Sequence, residues 1–357
     1  MFTIIIFFIV LSILVLVHEC GHFIMAKRNG VKVEEFGFGL PPRIFGIRIG
    51  ETLYSLNVLP FGGFVKVLGE EEAELKDKKL TPGELKRSFS NKKPWQKSII
   101  LVGGVLFNFI LGWIIISYLF TKGVPVPANK VVVEEVIKNS PAEKILQKGD
   151  IVRNITYNGS TIGIKKVEDI SDATKKYGGK EILIVISRKN QNKTIAVTPR
   201  TNPPKGQGSL GILISDYEIK KYSVIEAPFL GLVEAAKMTG IIFKELAKTL
   251  VKFVTFQKQD AQIAGPVGIA RITSQAAKAG LDPLLQMIGL LSLNLAVINI
   301  LPFPALDGGR LALVIYEWIS KRKVNPEVER KMNLVGFTFL ISLIILVTIQ
   351  DIIKIFK

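Results

Sequence analysis

The chain has 357 residues, 48% of them hydrophobic and 22% charged, with a formal net charge of +17 and a single cysteine, Cys20. That length accommodates two ordinary domains, or a membrane bundle carrying one wet domain, and so high an apolar content beside so many charges fits the second better. One cysteine excludes an intrachain disulfide. The basic residues flank apolar spans and no nucleic-acid motif accompanies them, which argues against a nucleic-acid partner.

In chain order, residues 1–26 contain no Lys, Arg or Asp. They read as a first transmembrane helix rather than a signal peptide, because the run is too long and has no obvious small-residue cleavage site. Further spans are expected near Ser98–Phe120, Leu284–Leu301 and Leu334–Ile349. Lys27, Arg28, Lys32, Arg43 and Arg48 follow the first span, and Arg310, Lys321, Arg322, Lys323, Arg330 and Lys331 separate the third and fourth. Short basic loops stay in the cytoplasm, so both termini and the long stretch from Lys122 to Asp282 are expected outside.

Within that stretch, Lys130–Ile137, Ile182–Ser187 and Thr194–Thr198 read as strands and Asn158-Gly159 as a tight turn. Ser140-Pro141 predicts a short helix ending near Gly149, and 201–208 a linker. The run from Asn139 to Gly159 closely resembles the core of bacterial PDZ domains, which bind a peptide as an added strand; a β-rich spacer without a ligand is the alternative. From Val224 to Phe256, Lys237, Lys244, Lys248 and Lys252 share one helical face and apolar residues the other. Either an interfacial amphipathic helix or a helix packed on the soluble domain satisfies that pattern.

The only two histidines, His18 and His22, sit four apart with Glu19 between them. On a helix both imidazoles share one face and can reach one metal, while Glu19 lies about 100° around it and can touch a metal-associated water. Counting back from Lys27 at about 1.5 Å per residue buries His18 on the order of 13 Å below the cytoplasmic surface. Ionisable groups at that depth are a functional signal, with a polar contact between helices as the competing reading. Cys20 lies about 200° from His18 and is given no ligand role. Catalytic zinc takes three protein ligands. Asp307 follows a Pro302–Pro304 break near the cytoplasmic end of the third span, where it is equally readable as a polar turn residue.

These features resemble the site-2 protease family, specifically the bacterial zinc metalloproteases of regulated intramembrane proteolysis with one PDZ domain. The resemblance runs through His18–His22, Phe36–Gly39, Gly62-Gly63, Gly103-Gly104 with Asn108-Phe109, the PDZ-like insert, Gly265-Pro266, and Asn294 and Asn299 leading to Leu306–Gly308. It implies Zn2+ held by His18, His22 and Asp307, with Glu19 as general base. It also implies that Thr52–Val58 and Phe64–Leu68 form a hairpin-like element whose edge holds a substrate strand. Asn294 and Asn299 would bind substrate backbone, or else serve as polar glue between helices; Asn108 is left outside the site.

The expected fold class is therefore an α-helical integral membrane protein with four transmembrane helices and an inserted β-rich α+β PDZ domain. The divisions are a first membrane helix over 1–26, a cytoplasmic loop with a membrane-associated β-hairpin over 27–97, and a second span over 98–121. An extracytoplasmic PDZ domain over 122–220 and an amphipathic helical region over 221–282 follow. The third span with its Leu-Asp-Gly motif covers 283–309, a cytoplasmic loop 310–332, and the fourth span 333–357. The expected function is hydrolysis within membrane segments of single-span proteins, such as anti-sigma factors or signal-peptide remnants, at the multi-pass cell membrane with the lipid bilayer as surroundings. A PDZ scaffold with a structural metal is the alternative. A metal transporter would want acidic or His residues along several spans, and spans two and four offer almost none.

Overall fold

A computed structural model describes residues 2–70, 80–204, 206–255 and 265–356. The parts of the expected cytoplasmic loop, linker and amphipathic region that fall on 71–79, 205 and 256–264 lie outside the described residues. The chain divides into two units, 1–121 with 223–357, and 122–222.

In the first unit, four described helices are long and apolar enough to cross a membrane: α1 (Phe2–Arg28), α3 (Pro94–Lys122), α7 (Leu281–Ile300) and α9 (Pro326–Phe356). At about 1.5 Å per residue, the 27 residues of α1 reach about 40 Å, more than a hydrocarbon core of about 30 Å. Small residues let the backbones meet. A Cβ added at Gly103 of α3 would stand 2.7 Å from Gly21 O of α1, and one at Gly112 would stand 2.6 Å from Leu293 of α7. Val10, Leu14, Ile115 and Ile288 fill the space between these three helices.

Three elements depart from the sequence reading. Within 221–282, α5 (Glu226–Val254) falls on the helix expected over 224–256, but a second helix, α6 (Pro266–Ala279), follows among the described residues. Residues 310–320, expected as loop, lie in α8 (Asp307–Ser320), and α9 begins at Pro326 rather than 333. Pro302 and Pro304 end α7, but the Leu306-Asp-Gly-Gly309 run that follows starts a new helix instead of prolonging the break. Asp351 of α9 reaches back to α6, where its Oδ2 accepts from Gly268 N at 2.7 Å.

β1 (Val33–Ile49) and β2 (Thr52–Val67) are both folded on themselves. Phe36 pairs with Tyr54 on one side and Val65 on the other, while Phe45 pairs with Leu56. The lateral order is therefore 43–49, 52–57, 33–38, 63–67. The expected direct pairing of 52–58 with 64–68 is replaced, because 33–38 lies between them. Gly39 and Gly62, at φ of +79° and +78°, make the bends. Asn57 Nδ2 donates to Gly39 O at 3.1 Å and pins the first of them. Segment 63–67 is an edge: among the described residues no strand pairs along its outer side. Beyond it, α2 (Pro82–Lys86) is capped by Thr81 and Glu84 in reciprocal hydrogen bonds. Glu51, at the turn between β1 and β2, accepts from Arg87 and Lys27, and these contacts lower its carboxyl to about 2.

The second unit is a six-stranded antiparallel sheet. Its strands are β3 (Val124–Val136), β4 (Ile151–Tyr157), β5 (Ser160–Gly163), β6 (Ile182–Arg188), β7 (Gln191–Val197) and β8 (Ile212–Lys220), with one helix, α4 (Val167–Lys176). The order is β7-β6-β4-β3-β8, with β5 on β4. Ile182, Ile184 and Ile186 alternate inward along β6 and pack with Val131, Val133, Ile155 and Ile170. Asn158 and Gly159 adopt φ of +47° and +79°, as a two-residue hairpin turn of the primed type requires. Residues 140–145 form turns rather than the expected helix. Burial of Asp150 opposes its ionisation, but the Arg188 fork, at 2.7 and 2.6 Å, and the Gln147 amide hold its carboxyl below the ordinary range.

Candidate metal centre

The site begins with helical spacing. His18 and His22, one turn apart on α1, bring their Nε2 atoms to 3.1 Å with the ring planes at 86°. The third group comes from the chain reversal after α7. Ala305 takes φ +71° and Leu306 is extended. A Cβ on Gly308 would overlap the Ile300 and Leu301 carbonyls, so only glycine permits so tight a return. Asp307, the first residue of α8, thereby sets Oδ2 3.0 Å from His18 Nε2 and 3.2 Å from His22 Nε2.

These three atoms form a nearly equilateral triangle, and their residues are the cluster of potential metal-binding side chains found among the described residues. Zinc with N and O ligands at about 2.0–2.2 Å has tetrahedral edges of roughly 3.4 Å, so the triangle is close to one face of that figure. The lone pairs support the same conclusion. Asp307 Oδ2 is buried and satisfies no hydrogen bond despite its short distances, as an acceptor aimed at a shared point rather than at either ring would be. His22 Nδ1 lies 2.9 Å from Ile100 O; a carbonyl only accepts, so the ring proton sits on Nδ1 and Nε2 is left as a ligand. The donor set fits zinc.

Glu19 joins His18, His22 and Asp307 in lining a cavity of about 250 Å³, together with Phe64 and Val65 of the β2 edge. A Cβ on Gly63 would stand 3.8 Å from Glu19 Cγ, so the start of that edge passes beside the carboxylate. Arg310, one helical turn after Asp307, is ion-paired with Glu70 in the same cavity. Cys20 is half-buried and outside the cluster.

The two asparagines expected at the site part company. Asn299 Nδ2 is 3.5 and 3.4 Å from the two ring nitrogens of His18. Asn294 instead turns its amide onto its own helix, donating to Leu290 O at 2.8 Å. Five residues on a helix is about 140°, so the two cannot share a face. Ser292, seven before Asn299 and on its face, donates to Asn108 O of α3 at 2.7 Å. Asn108, which the sequence reading left out, is fully buried and lies 3.4 Å from His18 Nδ1. Ile100, Gly104 and Asn108 are spaced four apart, a pattern present in the sequence whose meaning depends on α3 facing the histidines.

Comparison with known proteins adds independent findings. The model of peptidase family M50 matches residues 6–343. A relative from Clostridium perfringens is 38% identical over 350 residues, covering 96% of each chain. The regulator of sigma-W protease RasP of Bacillus subtilis and the zinc metalloprotease RasP of Bacillus licheniformis are each 30% identical over 428 aligned positions, covering 99% of both chains. Among solved structures, the PDZ domain of an SdrC-like protein from Listeria innocua is 26% identical. It covers 24% of this chain and 92% of its own, with a TM-score of 0.21.

Proposed function

Since the chain belongs to peptidase family M50 and is a membrane metalloprotease, we propose that it hydrolyses peptide bonds within transmembrane segments of single-span membrane proteins, with His18, His22 and Asp307 holding Zn2+ and Glu19 as general base. The observation that carries this reading is the convergence of three ligand atoms, at 3.0–3.2 Å from one another, in a cavity that also contains Glu19.

When bound, zinc supplies Lewis-acid polarisation of the scissile carbonyl and lowers the pKa of a water to about 7. Glu19 would accept the proton of the attacking water and deliver it to the leaving amine; such general acid–base transfer contributes about 10²- to 10⁴-fold. A substrate helix has its carbonyls hydrogen-bonded internally and must unwind before attack. The outer edge of the sheet at 63–67 would offer an extended segment backbone partners beside Glu19. Asn299, whose Nδ2 lies 3.5 and 3.4 Å from the His18 ring nitrogens, would bind exposed substrate backbone; Asn294 would do so only after releasing Leu290 O.

The charge pattern supports a topology with 27–97 and 310–332 cytoplasmic and the 122–220 insert, with both termini, outside. Anti-sigma factors and signal-peptide remnants are the expected substrate classes, and the insert, read as a PDZ domain, would exclude those that still keep large ectodomains. Deleting 130–200 should then permit cleavage of full-length substrates.

The deciding experiment is Glu19→Gln, co-expressed with a panel of single-span proteins and read by fragment mass. The variant should retain zinc and lose cleavage. Equal fragments from both proteins would refute Glu19 as the base, and a wild-type protein that takes up no zinc would refute the site.

A further inference from the structure

We propose that Asn108 is a positioning residue for the metal site. Its side-chain oxygen accepts the Nδ1–H of His18 and so leaves Nε2 of that ring to the metal. The proposal rests on the zinc reading above and concerns the wall behind it.

α3 runs past the histidine pair with Ile100, Gly104 and Asn108 on the facing side, one helical turn apart. The histidines are also one turn apart, so the two series match. Ile100 O takes His22 Nδ1 at 2.9 Å. Gly104 leaves room for both rings, since a Cβ there would stand 2.5 Å from His22 Nε2 and 2.6 Å from His18 Cε1. Asn108 ends the series at His18 Nδ1. A ligating imidazole whose Nε2 faces the metal carries its proton on Nδ1 and needs an acceptor there. For His22 the acceptor is backbone; for His18 the atom in place belongs to a side chain.

The Asn108 amide is fully buried, and its Oδ1 makes no hydrogen bond while Nδ2 is the atom 3.4 Å from Nδ1. With Nδ1 protonated, that orientation sets donor against donor. The two ends of an asparagine amide are nearly the same in shape, and exchanging them puts the oxygen on the ring proton. The 3.4 Å separation is longer than an ordinary N–H···O hydrogen bond, so the proposal requires the ring and the amide to approach by a few tenths of an ångström. Asn299 cannot take this role from where it stands, because its nitrogen is almost equidistant from both ring nitrogens and so lies along neither N–H direction.

The test uses full-length protein in detergent with 15N-labelled histidine. With two histidines in the chain, the ring-nitrogen spectrum contains only His18 and His22. Zinc-loaded wild type should show both rings protonated at Nδ1 and coordinated through Nε2. Asn108→Leu should lower zinc affinity, measured by chelator competition, about 10- to 100-fold and alter the His18 signals, while the His22 signals stay in place and report an intact bundle. Asn108→Asp, which keeps the acceptor, should bind zinc within a few-fold of wild type. If Asn108→Leu does not fold, Asn108→Ala against Asn108→Asp carries the same comparison. Wild-type affinity with unchanged His18 signals in the Leu or Ala variant would overturn the proposal, as would an Asp variant as weak as either. A wild-type protein that takes up no zinc would instead overturn the reading on which the proposal stands.

Discussion

Replacing Gly104 by Ala adds one methyl group to α3 directly behind the two imidazoles. The new Cβ would stand 2.5 Å from His22 Nε2, 2.6 Å from His18 Cε1 and 2.8 Å from His18 Nδ1. Carbon contacts are comfortable at about 3.5–4.0 Å, so something must yield by about 1 Å. α3 could back away only by giving up its close packing at Gly103 against Gly21 of α1. Otherwise the rings must move, and zinc sites tolerate only about 0.2 Å in ligand distance. The expected loss is about 10- to 100-fold in zinc affinity, or about 1.4–2.8 kcal/mol, and about 100-fold in cleavage, since a 1 Å misplacement costs that much. Zinc affinity is read by chelator competition, and cleavage on a co-expressed membrane substrate. Gly240→Ala on α5 is the control: nothing lies within 4 Å of its new methyl, and alanine favours the helix by about 1 kcal/mol. A Gly104→Ala protein that binds zinc and cleaves like wild type would refute the packing argument.

Zinc removal should lower the melting temperature of the wild type, because a ligand bound only to the folded state stabilises it, by about 4 kcal/mol at 1,000 times its Kd. In Asp307→Ala the same chelator should cause no further drop; an equal drop would remove Asp307 from the ligand set. Asp150→Ala strands Arg188 and should cost the insert about 2–3 kcal/mol, less than for a fully enclosed pair because Arg188 is 21% exposed. Its depressed carboxyl contributes fully above the ordinary aspartate value of about 3.9 and loses that contribution as pH falls through the lower folded value. Hydrogen exchange of the β4 and β6 amides across this range checks both, and protection that is unchanged by the substitution would contradict them. Asp351→Ala leaves Gly268 N without its acceptor and should cost about 1–3 kcal/mol in a thermal melt, whereas Asp351→Asn should recover most of it.

The approach of His18 to His22 is legible in the sequence because a four-residue interval translates directly into one helix face. Asp307 was harder. Its approach to the pair depends on a reversal through Pro302, Pro304 and Ala305 whose direction no periodicity encodes; topology brings it only to the same end of the bilayer, and the family resemblance is what implies a ligand role. The proline and glycine run reads as an ending, which hid the start of α8. Asn294 and Asn299 looked equivalent in the sequence, yet their five-residue offset turns them to different faces. A hairpin argument considers neighbouring runs alone, so it misses the strand 33–38, which comes from further back and lies between 52–57 and 63–67. Ile100 and Asn108 became meaningful only once α3 was known to run along the histidines.

The proposed ligand set is divided between the first helix and a residue almost three hundred positions later. During synthesis, a chain that has delivered His18 and His22 to the bilayer still lacks the carboxylate that closes the triangle. Hydrolytic competence therefore arrives late, as an all-or-none property of the nearly finished polypeptide. Truncated products carrying only the early helices would remain harmless to neighbouring membrane proteins.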